Sequence, residues 1–233
     1  MRKGLFLTIM FLLCVSLFAQ VGENGAKPES AAPASPDVEA LQTAALLAKY
    51  GYDTGSASAL IGAAEILVYI DTQPLATAGT QSGQTADSGA KSGNPEYTPA
   101  NLLADARRMA GRDATMLAWA SEVEAEMNAR AASAAGTRGS GSPKYQVDRV
   151  SAYSTIRYQL RFYANQWAEI MVSGDGDTDL DLYIYDTNGN LIAYDEGYTD
   201  DCYVRFIPRW TDYFTIVIKN LGRVYNQFQI WTN

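Results

Sequence analysis

The sequence predicts an α+β chain in two parts, a small N-terminal unit of about four helices followed by a C-terminal antiparallel β-sandwich that is jelly-roll-like. Three observations carry this. From Val38 to Met127, apolar residues recur three and four positions apart, the spacing of a buried helix stripe. After Gly-Thr-Arg-Gly-Ser-Gly-Ser-Pro143 the composition changes abruptly, and Tyr, Phe, Trp, Val and Ile fall into short alternating runs, the period of half-buried strands. Within those runs Asn188-Gly189 stands between Tyr185 and Leu191, a hairpin signal because both residues tolerate positive φ.

The elements follow in order. Residues 1–20 open with Arg2 and Lys3, continue through an apolar run and reach Ala19, the pattern of a secretory signal peptide that is too short to span a bilayer. Cys14 has no small residue just ahead of it, which argues against lipidation. Residues 21–34 are small, polar and proline-containing and are expected to form a flexible N-terminus. Ser35-Pro36-Asp37 supplies a cap, a first-turn proline and an acid ahead of Val38, Leu41, Ala45 and Ala48, so a first helix is expected to near Gly51. Thr54 or Ser56 caps a second, whose stripe is Ala59, Ala63, Ile66, Leu67 and Ile70. Residues 73–97 are mostly Gly, Ser, Thr, Ala and Gln, with too little apolar surface to offset the entropy of ordering, and read as a low-complexity insert. Thr98-Pro99 starts a third helix ended by Gly111, and Asp113 caps a fourth. The helical region thus spans 35–135 and a linker spans 136–144.

Seven or eight strands then fill residues 145–233: about 154–163, 166–172, 180–186, 191–195, 202–207, 212–219 and 225–232, each bounded by turn residues. At Asp177-Thr-Asp-Leu-Asp-Leu-Tyr-Ile-Tyr185 this part resembles the bacterial pre-peptidase C-terminal domain, with a strand bearing Tyr158, Leu160 and Phe162 before it and Asp212-Tyr-Phe-Thr-Ile-Val-Ile218 after it. The resemblance implies a jelly-roll-like sandwich of the kind appended to secreted peptidases. Similar domains of collagenases bind calcium, so calcium is the cofactor the resemblance implies. No peptidase stands ahead of the domain in this sequence, and the helical region carries no resemblance to a named family.

Asp175, Asp177, Asp179, Asp181 and Asp186 match positions 1, 3, 5, 7 and 12 of a calcium loop, yet Leu180 stands where that loop needs glycine, and Leu180, Leu182 and Ile184 alternate as a buried strand face. In strand geometry Asp177, Asp179 and Asp181 share one face about 6.6 Å apart, so two at most reach one ion. A site is therefore expected to draw on Asp175, Asp177, Asp179, Asp181, Asp195 and Asp200. No Lys or Arg occurs between Phe162 and Val204, so carboxylates gathered there need solvent or a cation between them. A solvated acidic edge is the plainer alternative.

The chain has no histidine, which removes Ser-His-Asp and Cys-His nucleophile systems and imidazole zinc sites. Asp195 with Glu196 and Asp179 with Asp181 are the nominal carboxylate pairs for a glycosidase-like enzyme, a third reading. A net charge of −8, more negative once Arg2 and Lys3 are removed, argues against nucleic acid. Cys202 is the only cysteine outside the leader, expected as a small buried hydrophobe, with an intermolecular disulfide as the alternative. Trp210, Tyr183 and Tyr185 are candidate ligand contacts beside the acidic strand. The sequence-level expectation is an exported, non-enzymatic module binding a protein, peptide or glycan at the cell envelope or outside the cell, without a transmembrane segment once the leader is removed. A structural or accessory part of an envelope assembly is the alternative.

Overall fold

A computed structural model describes residues 22–25, 35–83, 96–133 and 142–233; the expected leader, most of the 21–34 segment and most of the 136–144 linker lie outside these. Four helices are followed by the strands of a two-layer sandwich, the α+β order expected. Helices α1 (Pro36–Thr54) and α2 (Ala57–Val68) form a hairpin through Gly55, whose φ of 67° lets its N–H reach the Gly51 carbonyl and end α1. The side chain of Ser56 caps α2, and those of Thr98 and Asp113 cap α3 (Pro99–Ala110) and α4 (Ala114–Ser133). Ser35 does occupy the N-cap of α1, but its side chain makes no cap bond; the orphan backbone N–H there donates instead to Glu169 in the sandwich. Helix α2 packs against the other three.

Segment 73–97, expected as a low-complexity insert, gives two strands within its described part. Strand β1 (Gln73–Pro74) pairs in parallel with β3 (Lys144–Val150), and β2 (Thr80–Gly83) pairs antiparallel with β4 (Ser154–Phe162). The remaining strands are β5 (Ala168–Ser173), β6 (Leu180–Tyr185), β7 (Leu191–Asp195), β8 (Asp201–Phe206), β9 (Asp212–Asn220) and β10 (Asn226–Thr232). One sheet runs β1-β3-β10-β5-β8, the other β2-β4-β9-β6-β7. Without β1 and β2, the eight strands β3 to β10 interleave as a jelly roll: each sheet alternates early and late strands, and every pairing among them is antiparallel. Between the sheets lie Ile156, Tyr158, Leu160 and Phe162 of β4, Leu182 and Ile184 of β6, Phe214, Ile216 and Ile218 of β9, and Phe228 and Ile230 of β10. Leu75, just past β1, joins them.

The two sheets differ on their outer faces. Strand β5 is buried at all six residues, although its core face needs only Ala168, Ile170 and Val172. Its other face is covered by the helices: Met171 and Trp231 belong to one apolar cluster with Leu41, Ala48, Leu60, Leu103 and Tyr97, and Tyr145 and Tyr203 pack against it. Helix α1 is held at both ends. Glu169, 1 % exposed, accepts from Ser35 N at 3.1 Å and from the Tyr203 hydroxyl at 2.7 Å, while Lys49 Nζ donates to Asp200 at 3.0 Å and to Asp201 at 3.3 Å. The helices are therefore a third layer of the sandwich rather than a separate body.

Candidate functional site

The acidic candidates do gather at one end of the sandwich, where the β5–β6 and β7–β8 loops meet. Strand β6 begins only at Leu180, so Asp177 and Asp179 lie in the loop before it and do not share a strand face with Asp181. Gly174 is required here, since a Cβ would lie 2.4 Å from Asp200 Oδ2. Asp186, the last of the calcium-loop count, is at the far end of β6, about 20 Å away at strand rise. Asp175 accepts from Gln227 N, Asp181 from the Tyr183 hydroxyl, and Asp195 from Gly197 N and Tyr203 N. Asp200, 2 % exposed, takes Gly176 N, the Asn226 side-chain amide and Lys49. Among the described residues, no group of three or more carboxylate or thiol side chains is placed to hold a metal ion. As arranged, Asp175, Asp181, Asp195 and Asp200 receive protein donors, while one Asp179 oxygen has no hydrogen-bond partner.

Part of the countercharge that the acidic strand needs comes instead from α1. Burial alone would lower the Lys49 pKa, but its hydrogen bond to Asp200 and the charges of Asp200 and Asp201 outweigh this and raise it. Asp179 is left with one buried oxygen unbonded, and desolvation, then the charges of Asp181 and Asp200, raises its pKa. Replacing Lys49 with Met is expected to lower stability in urea by about 1–2 kcal/mol, a buried-pair loss discounted because the lysine is partly exposed, and to make stability less sensitive to salt. An unchanged urea midpoint would show the pair to be idle.

The aromatic candidates separate into two places. Register puts Tyr183 and Tyr185 on the outer face of the second sheet, which no helix among the described residues covers. Across this face run Tyr194, Tyr183, Val217 and Arg157 in one row, and Leu191, Tyr185, Thr215 and Gln159 in the next, with Tyr213 paired to Arg161 beyond. Tyr194 and Tyr213 are more than half exposed and Tyr185 is partly so. Tyr183 is 8 % exposed: Lys219 Nζ lies 4.0 Å above its ring, and its hydroxyl donates to Asp181 and Glu196. Burial and those two carboxylates raise its pKa. Tyr185, 6.5 Å away in a near-parallel stack, is the more exposed of the two. Tyr194 and Tyr213, which the sequence also sets on or beside the acidic strands, join this face, Tyr194 paired with Tyr183 and Tyr213 with Arg161.

Trp210 is 39 % exposed but lies in the β8–β9 turn at the opposite end from the acidic loops. Its backbone N–H and carbonyl are both bonded to Asn24, a residue of the expected flexible N-terminus that is fully buried. Cys202 is buried, and its thiol donates to the Leu180 carbonyl; burial pushes its pKa up, the behaviour of a packed hydrophobe.

Fold and site together define a helix-backed jelly roll with one open, aromatic sheet face. No family model matches the chain, and no curated protein does. Among solved structures it is similar to the pre-peptidase C-terminal domain of a collagenase from Bacillus anthracis, with 8 % identity, 40 % of this chain and 88 % of that one covered, and a TM-score of 0.29. It is also similar to PliG of Aeromonas hydrophila, a periplasmic inhibitor of g-type lysozyme, with 13 % identity, 42 % and 92 % covered, and a TM-score of 0.31. Likenesses this slight carry no argument about function. Among the described residues no helix is long and apolar enough to cross a membrane.

Proposed function

We propose that this protein is an exported, non-enzymatic binding module whose open sheet face receives an extended glycan. The observation that carries the reading is the contrast between the two outer faces. One is covered by helices; the other offers Tyr185, Tyr194 and Tyr213 interleaved with Gln159, Thr215, Arg157 and Arg161. Planar rings beside amide, hydroxyl and guanidinium groups match the alternating apolar faces and hydroxyl edges of sugar rings. The nominal catalytic pairs have other work: Asp195 holds backbone N–H groups of Gly197 and Tyr203, and Asp181 holds Tyr183. Calcium has no part in this reading, so the melting temperature should move by less than about 1 °C between chelator and millimolar calcium.

The test is binding of the full chain to a panel of soluble polysaccharides by affinity electrophoresis and calorimetry. Tyr185→Ala and Tyr194→Ala are each expected to weaken the retained ligand about tenfold with little change in melting temperature, since neither ring is buried in the core. Retention that is indifferent to both substitutions would remove the face from consideration, and failure to retain any glycan would remove the ligand class.

A further inference from the structure

Residues 22–25, Gly-Glu-Asn-Gly, belong to no helix or strand; Gly22 and Glu23 are exposed, while Asn24 is buried in a recess at the Trp210 end of the sandwich. Asn24 is 0 % exposed, and its backbone N–H and both side-chain polar atoms have partners. Its backbone N–H donates to Asp186 Oδ2 at 3.0 Å; its side-chain Oδ1 accepts from Arg209 N and Trp210 N, both at 3.0 Å; its Nδ2 donates to the Trp210 carbonyl at 3.1 Å. The pattern reads the amide. An aspartate would keep the two acceptor bonds but turn its second oxygen toward the Trp210 carbonyl, and an alanine would leave two N–H groups and a carbonyl unsatisfied. The next residue is read as well: a Cβ on Gly25 would lie 2.3 Å from Ile192 Cγ2. The recess is built by the β6–β7 and β8–β9 turns, which also meet directly, Thr187 Oγ1 donating to Asp212 at 2.7 Å.

We propose that this end of the sandwich is a receptor for peptides containing Asn-Gly, filled in cis by the chain's own residues 22–25, and that withdrawing the segment opens it to an Asn-Gly peptide supplied in trans. The site is distinct from the open tyrosine face and does not rest on the glycan reading. In cis the tether holds the segment at a high effective concentration, so the intact protein ignores added peptide.

The experiment uses the full chain carrying Asn24→Ala and, as a second variant, Gly25→Val, which displaces the segment through Ile192 while leaving asparagine in place. The probe is the blocked peptide acetyl-Gly-Glu-Asn-Gly-Ala-amide, with Asp in place of Asn as control. Melting temperature is followed together with Trp210 emission, assigned by Trp210→Phe. Both variants are expected to melt lower than the wild type and to gain about 4 °C at ten times the dissociation constant of the Asn peptide. The wild type gains nothing, and the Asp peptide has no effect on any chain. Equal responses to the Asn and Asp peptides, or no response from a variant that still melts cooperatively, would overturn the proposal.

Discussion

A chain cut to residues 145–233 is expected to lack a cooperative urea transition, or to show one weakened by at least about 5 kcal/mol relative to the full chain, a large share of the 5–15 kcal/mol typical of a domain. The cut removes the helices from Met171 and Trp231, which are 4 % and 3 % exposed in the intact protein, and strips the cover from Tyr145 and Tyr203. Exposing a large apolar side chain costs about 1.5–3 kcal/mol. It also deletes Leu75 from the core between the sheets, with a cavity penalty on top, and takes β1 and β2 from the edges of β3 and β4. The lost polar partners matter less. Glu169 and Asp200 forfeit Ser35 and Lys49, but the same cut lets water reach them. Near-ultraviolet circular dichroism alongside urea melts decides the matter: a sharp transition within about 1 kcal/mol of the full chain would make the helices passengers.

This dependence was invisible at the sequence level for a definite reason. Periodicity says that a strand has a buried face, and it located the seven strands from β4 to β10 within one or two residues. What covers the other face is a tertiary fact. In β5 the alternation of Glu169, Met171 and Ser173 gives no hint of a helical layer above, and Lys49 reads as an ordinary polar helix residue until Asp200 is placed beside it. Strand β2 was hidden because Thr-Gln-Ser-Gly83 is exposed at all four positions; the pairing is held by backbone, and Gln81 reaches across to Arg149 and Ser151. The same limit applied to the candidate site. Tyr183 and Tyr185 were named together beside the acidic strand, but alternation could not tell that Lys219 and two carboxylates cover the first and leave the second partly open. Asn24, in a run of small polar residues, carried no pattern at all.

The turn after β6 shows how a correct location can conceal its organiser, and it yields the second large effect. Asn188-Gly189 does reverse the chain, but among the described residues only Gly189 of the pair has positive φ, at 82°, so this is not the two-residue turn that the dipeptide suggests. Asp186 builds it. That carboxylate, 3 % exposed, accepts from Asn188 N, Asn190 N and Asn190 Nδ2, each at 2.9 Å, and from Asn24 N at 3.0 Å. Burial by itself would raise its pKa, but the four donors prevail and lower it from the ordinary 3.8. The folded value lies below the unfolded one, so the stabilisation is complete above the ordinary carboxylate range and is lost as pH falls through about 4 and below. Asp186→Ala should cost about 3 kcal/mol at pH 7, since it strands several N–H groups that water cannot fully reach. Asp186→Asn should cost less, because the amide oxygen keeps some of these bonds while its NH₂ opposes the rest. Urea melts from pH 7 down to about 3 separate this role from simple loss of packing. If the carboxylate is the organiser, the gap between wild type and Asp186→Asn narrows as pH drops; a gap that stays constant would mean that the charge of Asp186 contributes nothing and that shape alone holds the turn.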